Sequence, residues 1–345
     1  MEFKRNNKTL NSLVRDMRKG KLSLQHELQR REGQWNRKMQ SELIDSLLRD
    51  IPIDPVRYVK DDDTLSVIDG IQRLSTIRSF FDNEFALSKD LKPVIIDGKE
   101  YEIAGKKYEN TKKNDKGNKK SDKEKSEKVS KRFLDPEVKE ALDDKHLDYI
   151  EISNYTDSEI TTMFARQNSG KSLNNKQKRS TIENREFRAL LVKVVEHPFF
   201  RKALTSANIK SDLDKEIVRQ VLMLAERSLD DIGSFASKDV DRFIIEYQDN
   251  VKQETIDRIM KALDNLDSGF EEFKMKPLGI PMAIYGEYAV LKRKGSTEKY
   301  RQWLISFMNE HCNDEEYTKY CKGGTSNFEN VKGRFEYFMN GVKGC

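Results

Sequence analysis

The sequence predicts an α+β protein with a mixed α/β domain at residues 1–175 and an all-helical domain at residues 176–345. Three observations predict this organisation. Apolar runs typical of short strands alternate with helical apolar patterns in the first half of the chain. Beyond residue 176 the apolar residues recur only at helical spacing. The length of 345 residues also corresponds to two domains of roughly 150 residues each.

The individual elements follow from apolar spacing and from the residues that interrupt it. The N-terminal pattern predicts three helices, at 43–51, at 71–81 and from 156, and Pro52 and Pro55 end the first of them. It predicts strands at 56–59, 65–68, 93–96, 101–103 and 147–152. The dipeptide Asp97-Gly98 is a hairpin signal, and Thr156 with Glu159 forms a capping box. In the second half, stripes at 217–225, 256–266 and 300–307 predict core-facing helices.

Composition excludes several classes of protein. Hydrophobic and charged residues each make up 36% of the chain, and its 17 Phe and 12 Tyr are enough to form a core. No uncharged apolar stretch approaches the roughly 20 residues that cross a bilayer, and the first residues lack a secretory signal pattern. The three cysteines lie near one end and cannot form a disulfide scaffold. We therefore expect no membrane partner and a cytoplasmic location in a bacterial or phage-infected cell.

The net charge of +5 comes from one segment. Residues 105–132 contain twelve Lys or Arg against five Asp or Glu, so the rest of the chain has a net charge of −2. Because this segment has almost no apolar residues, we predict a disordered Lys-rich insertion in the N-terminal domain. It either contacts nucleic-acid phosphates or is a solvated insertion with no specific role.

The stretch TLSVIDGIQRLSTI at 64–77 is the strongest candidate site. A strand ends before Asp69-Gly70, and a helix follows at once, so free N–H groups of the first helical turn can bind an anion. Gly70 allows a phosphate to approach the backbone, and Arg73 can bind it with two N–H groups. Asp69 is a candidate ligand for Mg²⁺. The alternative is that Asp-Gly only caps the helix.

Three ordered segments resemble one known family. DGIQRLSTI resembles the DGQQR motif of the ParB/sulfiredoxin-like superfamily, in the branch of the N-terminal domains of GmrSD-type restriction enzymes. The upstream segment LQRREGQWN resembles the Gln-Arg…Trp motif of that branch, and MFARQNSGKSLNNKQ resembles its Phe-x-Arg-x-Asn-x-x-Gly-x-x-Leu motif. The matching positions are Gln29, Arg30, Trp35, Phe164, Arg166, Asn168, Gly170 and Leu173.

The resemblance implies a ParB-like domain that binds a nucleotide or a nucleic-acid phosphate. Asp69, Gln72 and Arg73 are the expected catalytic residues. The expected phosphate-binding residues are Gln29, Arg30, Gly70, Arg166, Asn168 and Lys171. One departure is that Ile71 stands where the family has its first glutamine, and hydrolysis can be weak if that glutamine positions water.

The leading hypothesis is a DNA-associated protein that hydrolyses a nucleoside triphosphate (NTP), with possible Mg²⁺, in restriction, phage defence or counter-defence. The alternative is a non-catalytic DNA- or nucleotide-binding module that recruits a partner nuclease. A homo-oligomer is also open. A third hypothesis, a metal-dependent nuclease that uses the same site, needs acidic ligands beyond Asp69, and Glu27 and Glu32 are the nearest candidates by motif.

Other motifs are rejected. Asn168-Ser-Gly-Lys-Ser172 is not a P-loop because Ala165 stands where glycine is required. The four histidines are scattered, which argues against an HNH nuclease in this chain. His311, Cys312 and Cys321 lack a fourth zinc ligand.

Overall fold

The computed structural model describes residues 1–24, 33–61, 64–109, 132–167, 179–228, 231 and 233–345. The chain forms two compact units, Met1–Phe164 and Ala165–Cys345. The domain boundary predicted from the sequence lies later, after residue 175. The architecture is α+β, with the sheet in the first unit and helices in the second.

The first unit alternates strands and helices. In chain order its elements are β1 (Glu2–Thr9), α1 (Leu10–Arg18), β2 (Leu22–Ser23), α2 (Arg37–Leu48), β3 (Val56–Asp61), β4 (Thr64–Asp69), α3 (Ile71–Phe81), β5 (Val94–Ile96), β6 (Lys99–Tyr101), α4 (Pro136–Asp144), β7 (His146–Ser153) and α5 (Asp157–Gln167). The helix predicted at 71–81 and the strands predicted at 56–59, 65–68 and 147–152 are thereby confirmed.

Five strands form one mixed sheet in the order β1-β7-β3-β4-β2. β2 is parallel to β4, and β3 is parallel to β7, whereas β3–β4 and β1–β7 are antiparallel. β5 and β6 form a separate two-stranded hairpin. Because β2 and β4 are parallel, the carboxyl ends of both strands point in the same direction.

One face of the sheet packs against the helices of the first unit. α1, α2 and α3 bury Leu10, Val14, Ile44, Leu74 and Ile77 in this core, and each burial stabilises the fold by roughly 1.5–3 kcal/mol. These residues recur at helical spacing, which is why the sequence forms amphipathic helices here.

The other face of the sheet is also buried in its centre. The register places Val59, Ile68 and Ile152 on this face, and all three are buried. Ile160 and Phe164 of α5 are buried too, and they belong to the same unit. The predicted capping box starts α5, because the Thr156 N–H donates to Glu159 Oε2 at 2.8 Å and the Glu159 N–H donates to Thr156 Oγ1 at 3.3 Å.

The apolar pattern predicts no element in the first 23 residues. β1 reads EFKRNNKT, and its residues 2–7 are exposed on both faces of the strand. Such a strand has no apolar alternation, so it is formed by its backbone pairing with β7 and not by side-chain burial.

In the second unit the described residues after 178 contain helices and no strand. Its α-helices are α6 (Arg185–Val195), α7 (Pro198–Ala203), α8 (Ser206–Lys210), α9 (Leu213–Glu226), α10 (Ser237–Tyr247), α11 (Gln253–Gly269), α12 (Ile280–Lys292), α13 (Thr297–Asn309), α14 (Glu315–Thr318) and α15 (Phe328–Lys343), and short 3₁₀ helices lie at Arg179–Thr181, His311–Asn313 and Lys319–Cys321. The three predicted stripes fall on α9, α11 and α13 and are largely buried in one core. No helix of the described residues is long and apolar enough to cross a membrane.

A buried ionic network lies beside this core. Arg179 Nη1 is 2.6 Å from Glu216 Oε2, and Arg219 Nη2 is 2.6 Å from Glu183 Oε1. Arg179 Nε also donates to the more exposed Asp241 at 2.7 Å. Because removing one member of a buried pair leaves an uncompensated charge, each such loss costs about 3–5 kcal/mol.

Candidate functional site

The candidate site is the turn between β4 and α3. β4 ends at Asp69, Gly70 has φ of +96°, and α3 starts at Ile71. A side chain at position 70 would overlap Val56 and come to 3.0 Å from Arg73 Nη2. The N-cap residue of α3 is Gly70, which has no side chain to cap the helix. The turn therefore requires glycine for two reasons, a left-handed backbone and lack of space, and the N–H groups of the first turn of α3 favour an anion.

The carboxylate of Asp69 is held by two arginines. Arg57 Nη1 donates to Asp69 Oδ2 at 2.5 Å, and Arg73 Nη2 donates to the same oxygen at 3.3 Å. Arg57 on β3 pairs with Asp69, but the next residue, Tyr58, pairs with Val67. This β-bulge places one extra residue in β4 and turns Asp69 toward Arg57.

Arg73 is largely buried at this turn, with 11% of its side chain exposed. Its Nη2 also donates to the carbonyl oxygen of Pro55 at 3.3 Å, and its Nη1 is 3.8 Å from the exposed carboxylate of Asp54. Its Nε is buried and has no partner among the described residues. Two guanidinium groups therefore face the partly buried carboxylate of Asp69, and the exposed carboxylate of Asp54 forms a longer ion pair with one of them.

A buried tyrosine follows Arg57 in β3. Tyr58 is buried, its ring centroid is 5.1 Å from that of Tyr149, and its hydroxyl has no partner among the described residues. Burial raises the pKa of Tyr58 well above its usual range, with a smaller opposing effect from Arg73. The hydroxyl stays neutral, so it adds no negative charge against the guanidinium groups.

Gln72 connects the turn to the segment that precedes α2. Its Oε1 accepts a hydrogen bond from the Gln34 N–H at 2.8 Å. On the other side of residues 25–32, Ser23 of β2 pairs with Ser66 of β4. Ser23 and Gln34, which lie on either side of residues 25–32, are therefore next to β4 and α3, respectively. Gln29 and Arg30 themselves, like Glu27 and Glu32, are outside the described residues.

The remaining predicted site residues lie elsewhere in the chain. Arg166 is exposed in α5 and belongs to the second unit. Asn168 and Lys171 are outside the described residues, as is most of the Lys-rich insertion at 105–132. The structure thus brings Asp69, Gly70, Gln72 and Arg73 onto one turn.

Arg57 is a site residue that the sequence analysis missed. In the strand VRYV its position looks like an ordinary outward position between buried neighbours. The only local signal is a charged residue on a short strand directly before the strand that ends in Asp69. Its contact with Asp69 depends on the bulge in the β3–β4 pair, which the sequence pattern does not reveal.

The magnesium prediction at Asp69 stays a prediction. The described residues contain no group of three or more His, Cys, Asp or Glu side chains that could hold a metal. A divalent cation at Asp69 Oδ2 would also lie close to two guanidinium groups and be repelled by them. The geometry of the turn is better suited to an anion than to a cation.

Comparison with protein families gives one match. The family model described as "GmrSD restriction endonuclease, N-terminal domain" matches residues 10–182, which is half of the chain. The matched region includes the whole β4–α3 turn. A search of curated proteins finds no match.

Proposed function

Because the chain belongs to the family of GmrSD restriction endonuclease N-terminal domains, we propose that it binds an NTP at the Asp69-Gly70 turn and hydrolyses it in association with DNA. Family membership gives the chain a role related to restriction or phage defence. The nucleotide, the hydrolysis and the DNA are parts of the proposal.

The observation that carries the proposal is the pair of arginines at the start of α3. A triphosphate carries several negative charges, and the N–H groups of the first turn of α3 favour an anion. Arg57 and Arg73 lie at the same turn and supply planar donors. Gly70 allows a phosphate oxygen to approach the backbone because it has no side chain.

Each residue then has a separate role. Arg73 stabilises the charge that develops on the transferred phosphoryl group. Asp69 holds both arginines in place before the nucleotide binds, and Gln72 orients the nucleotide or the attacking water. If Mg²⁺ takes part, the phosphate oxygens of the nucleotide would hold it, and it would neutralise part of their charge.

The test is phosphate release from ATP, GTP, CTP and UTP with Mg²⁺, with and without DNA. We expect one nucleotide to be hydrolysed, and Arg73→Ala to lower the rate at least about 100-fold. Arg15→Ala is the matched control, since Arg15 is exposed on α1 of the same unit. An Arg73→Ala variant that hydrolyses NTP at the wild-type rate would disprove the catalytic role.

A second function, nucleotide binding without hydrolysis, is favoured by two observations. Ile71 replaces the glutamine of the family motif, and Asp69 Oδ2 is occupied by two guanidinium groups. In that case the protein is a nucleotide-dependent module that recruits a partner nuclease. Tight nucleotide binding by calorimetry without phosphate release from any NTP would establish this alternative.

A further inference from the structure

A cluster of basic side chains lies where three helices of the second unit meet. α12 ends at Lys292, α13 starts at Thr297, and α15 ends at Lys343. The cluster consists of five exposed residues, Lys292, Arg293, Lys294, Lys299 and Lys343. Four of them lie within eight consecutive residues.

Backbone contacts hold these helix ends together. The Ser296 N–H donates to the Cys345 carbonyl oxygen at 3.1 Å, so the turn after α12 is joined to the end of α15. Burial raises the pKa of the Cys345 thiol, and the positive charges of Arg293 and Lys299 oppose that effect. A side chain at position 295 would come to 3.2 Å from the Cys345 carbonyl oxygen and to 3.3 Å from Arg293 Nε, so Arg293 lies beside the end of α15. Lys292 and Lys294 are its neighbours in the chain, and Lys343 lies two residues before Cys345.

None of the five cations has a carboxylate partner among the described residues. The one acidic residue of the turn, Glu298, is already paired with Arg301 at 2.8 Å. Other helices of the same unit show the usual pattern, such as Arg242 with Asp239 at 3.2 Å on α10. Five cations without a carboxylate partner among the described residues therefore lie near these three helix ends.

The helix dipoles account for only part of this charge. The C-terminal ends of α12 and α15 each carry roughly half a negative charge, which favours a cation in the last turn of each helix. Two helix ends therefore balance about one positive charge of the five. A surplus of at least roughly +3 remains on a surface that the fold itself does not neutralise.

We propose that this basic cluster binds the phosphate backbone of duplex DNA. It rests on the DNA part of the proposed function and not on the nucleotide site. Phosphates of duplex DNA present a dense row of negative charge to such a surface. Single-stranded nucleic acid is instead bound with exposed aromatic side chains. The cluster has none among the described residues, because Tyr300 is fully buried and no large exposed apolar residue lies at 292–299.

The test uses the full chain and a labelled duplex of about 40 base pairs. The variant Lys292→Gln/Arg293→Gln/Lys294→Gln removes three charges from the cluster. The matched control removes three exposed, unpaired lysines from other helices and loops of the same unit, as Lys193→Gln/Lys261→Gln/Lys276→Gln. We expect the cluster variant to raise Kd about tenfold or more at moderate salt, and to lower the slope of log Kd against log salt by about 2–3.

The possible outcomes are distinguishable. If the control weakens DNA binding as much as the cluster variant, only net charge matters and the proposal is wrong. It is also wrong if the wild type binds no duplex, or if single-stranded RNA competes better than duplex DNA. Phosphate release without DNA is measured on the same variants. It reports on the nucleotide site and on folding, so failure of the DNA surface leaves that result unaffected.

Discussion

The chain uses the dipeptide Asp-Gly twice in its first unit, with different results. Asp69-Gly70 joins a strand to a helix, whereas Asp97-Gly98 joins two antiparallel strands. At the hairpin both residues have positive φ, +49° and +77°, as a type I′ turn requires. At the strand–helix turn only the glycine does, at +96°.

The surroundings differ even more than the backbone. A side chain added at Gly98 would meet nothing within 4 Å, but one added at Gly70 would overlap Val56. Asp69 is held by two arginines, while no hydrogen bond of the Asp97 side chain is found among the described residues. A short motif therefore indicates a functional site only when neighbouring elements pack against it.

The largest expected difference in the free energy of unfolding is between alanine variants of the two glycines. Gly70→Ala should destabilise the fold by about 3–5 kcal/mol, because it combines an unfavourable left-handed backbone with overlap against Val56. Gly98→Ala should cost only about 1–2 kcal/mol from the backbone term. Urea unfolding of both variants, monitored by circular dichroism, measures the two free energies.

A double-mutant cycle identifies the overlap. Val56→Ala removes the methyl groups that a side chain at position 70 would meet. The double variant Val56→Ala/Gly70→Ala should lose about 1 kcal/mol less unfolding free energy than the two single variants lose together. Strict additivity would contradict the packing explanation and leave only the backbone term.

The two aspartates provide the next contrast. Asp69→Asn removes the negative charge that strengthens the hydrogen bonds from Arg57 and Arg73, so we expect a loss of about 2 kcal/mol. Asp97→Asn should change stability by less than about 0.5 kcal/mol, because Asn accepts the left-handed conformation well. The same unfolding experiment compares them, and equal effects would mean that the arginine contacts contribute nothing.

The smallest expected effect is on nucleotide affinity, and it distinguishes a basic residue near the first turn from one near the second. Arg57→Gln should weaken nucleotide binding by about 1 kcal/mol, roughly fivefold in Kd, because one of two guanidinium groups is lost. Lys99 follows the second Asp-Gly, and its ammonium lies 4.9 Å from the centroid of the Tyr101 ring. Lys99→Gln should leave nucleotide Kd unchanged. Calorimetric titration with the preferred NTP measures both, and a wild-type Kd for Arg57→Gln would remove this residue from the site.

Local patterns were enough to predict many of the elements. α3 begins and ends at the predicted residues, and the hairpin lies at the predicted dipeptide, although its second strand begins two residues earlier than expected. Both predictions rest on signals within a few residues, such as apolar spacing and turn-forming dipeptides. β1 was missed because its side chains stay exposed, so no such signal exists.

The sequence by itself determined the α+β class, the helical second half, and the turn at Asp69, Gly70, Gln72 and Arg73. These features depend on spacing along the chain and on a motif of adjacent residues. Only the tertiary structure decided that Arg57 holds Asp69, and that Arg179 pairs with Glu216. The physical reason is that these contacts join residues 12 and 37 positions apart. Strand register and helix packing bring them together, and no local pattern encodes either one.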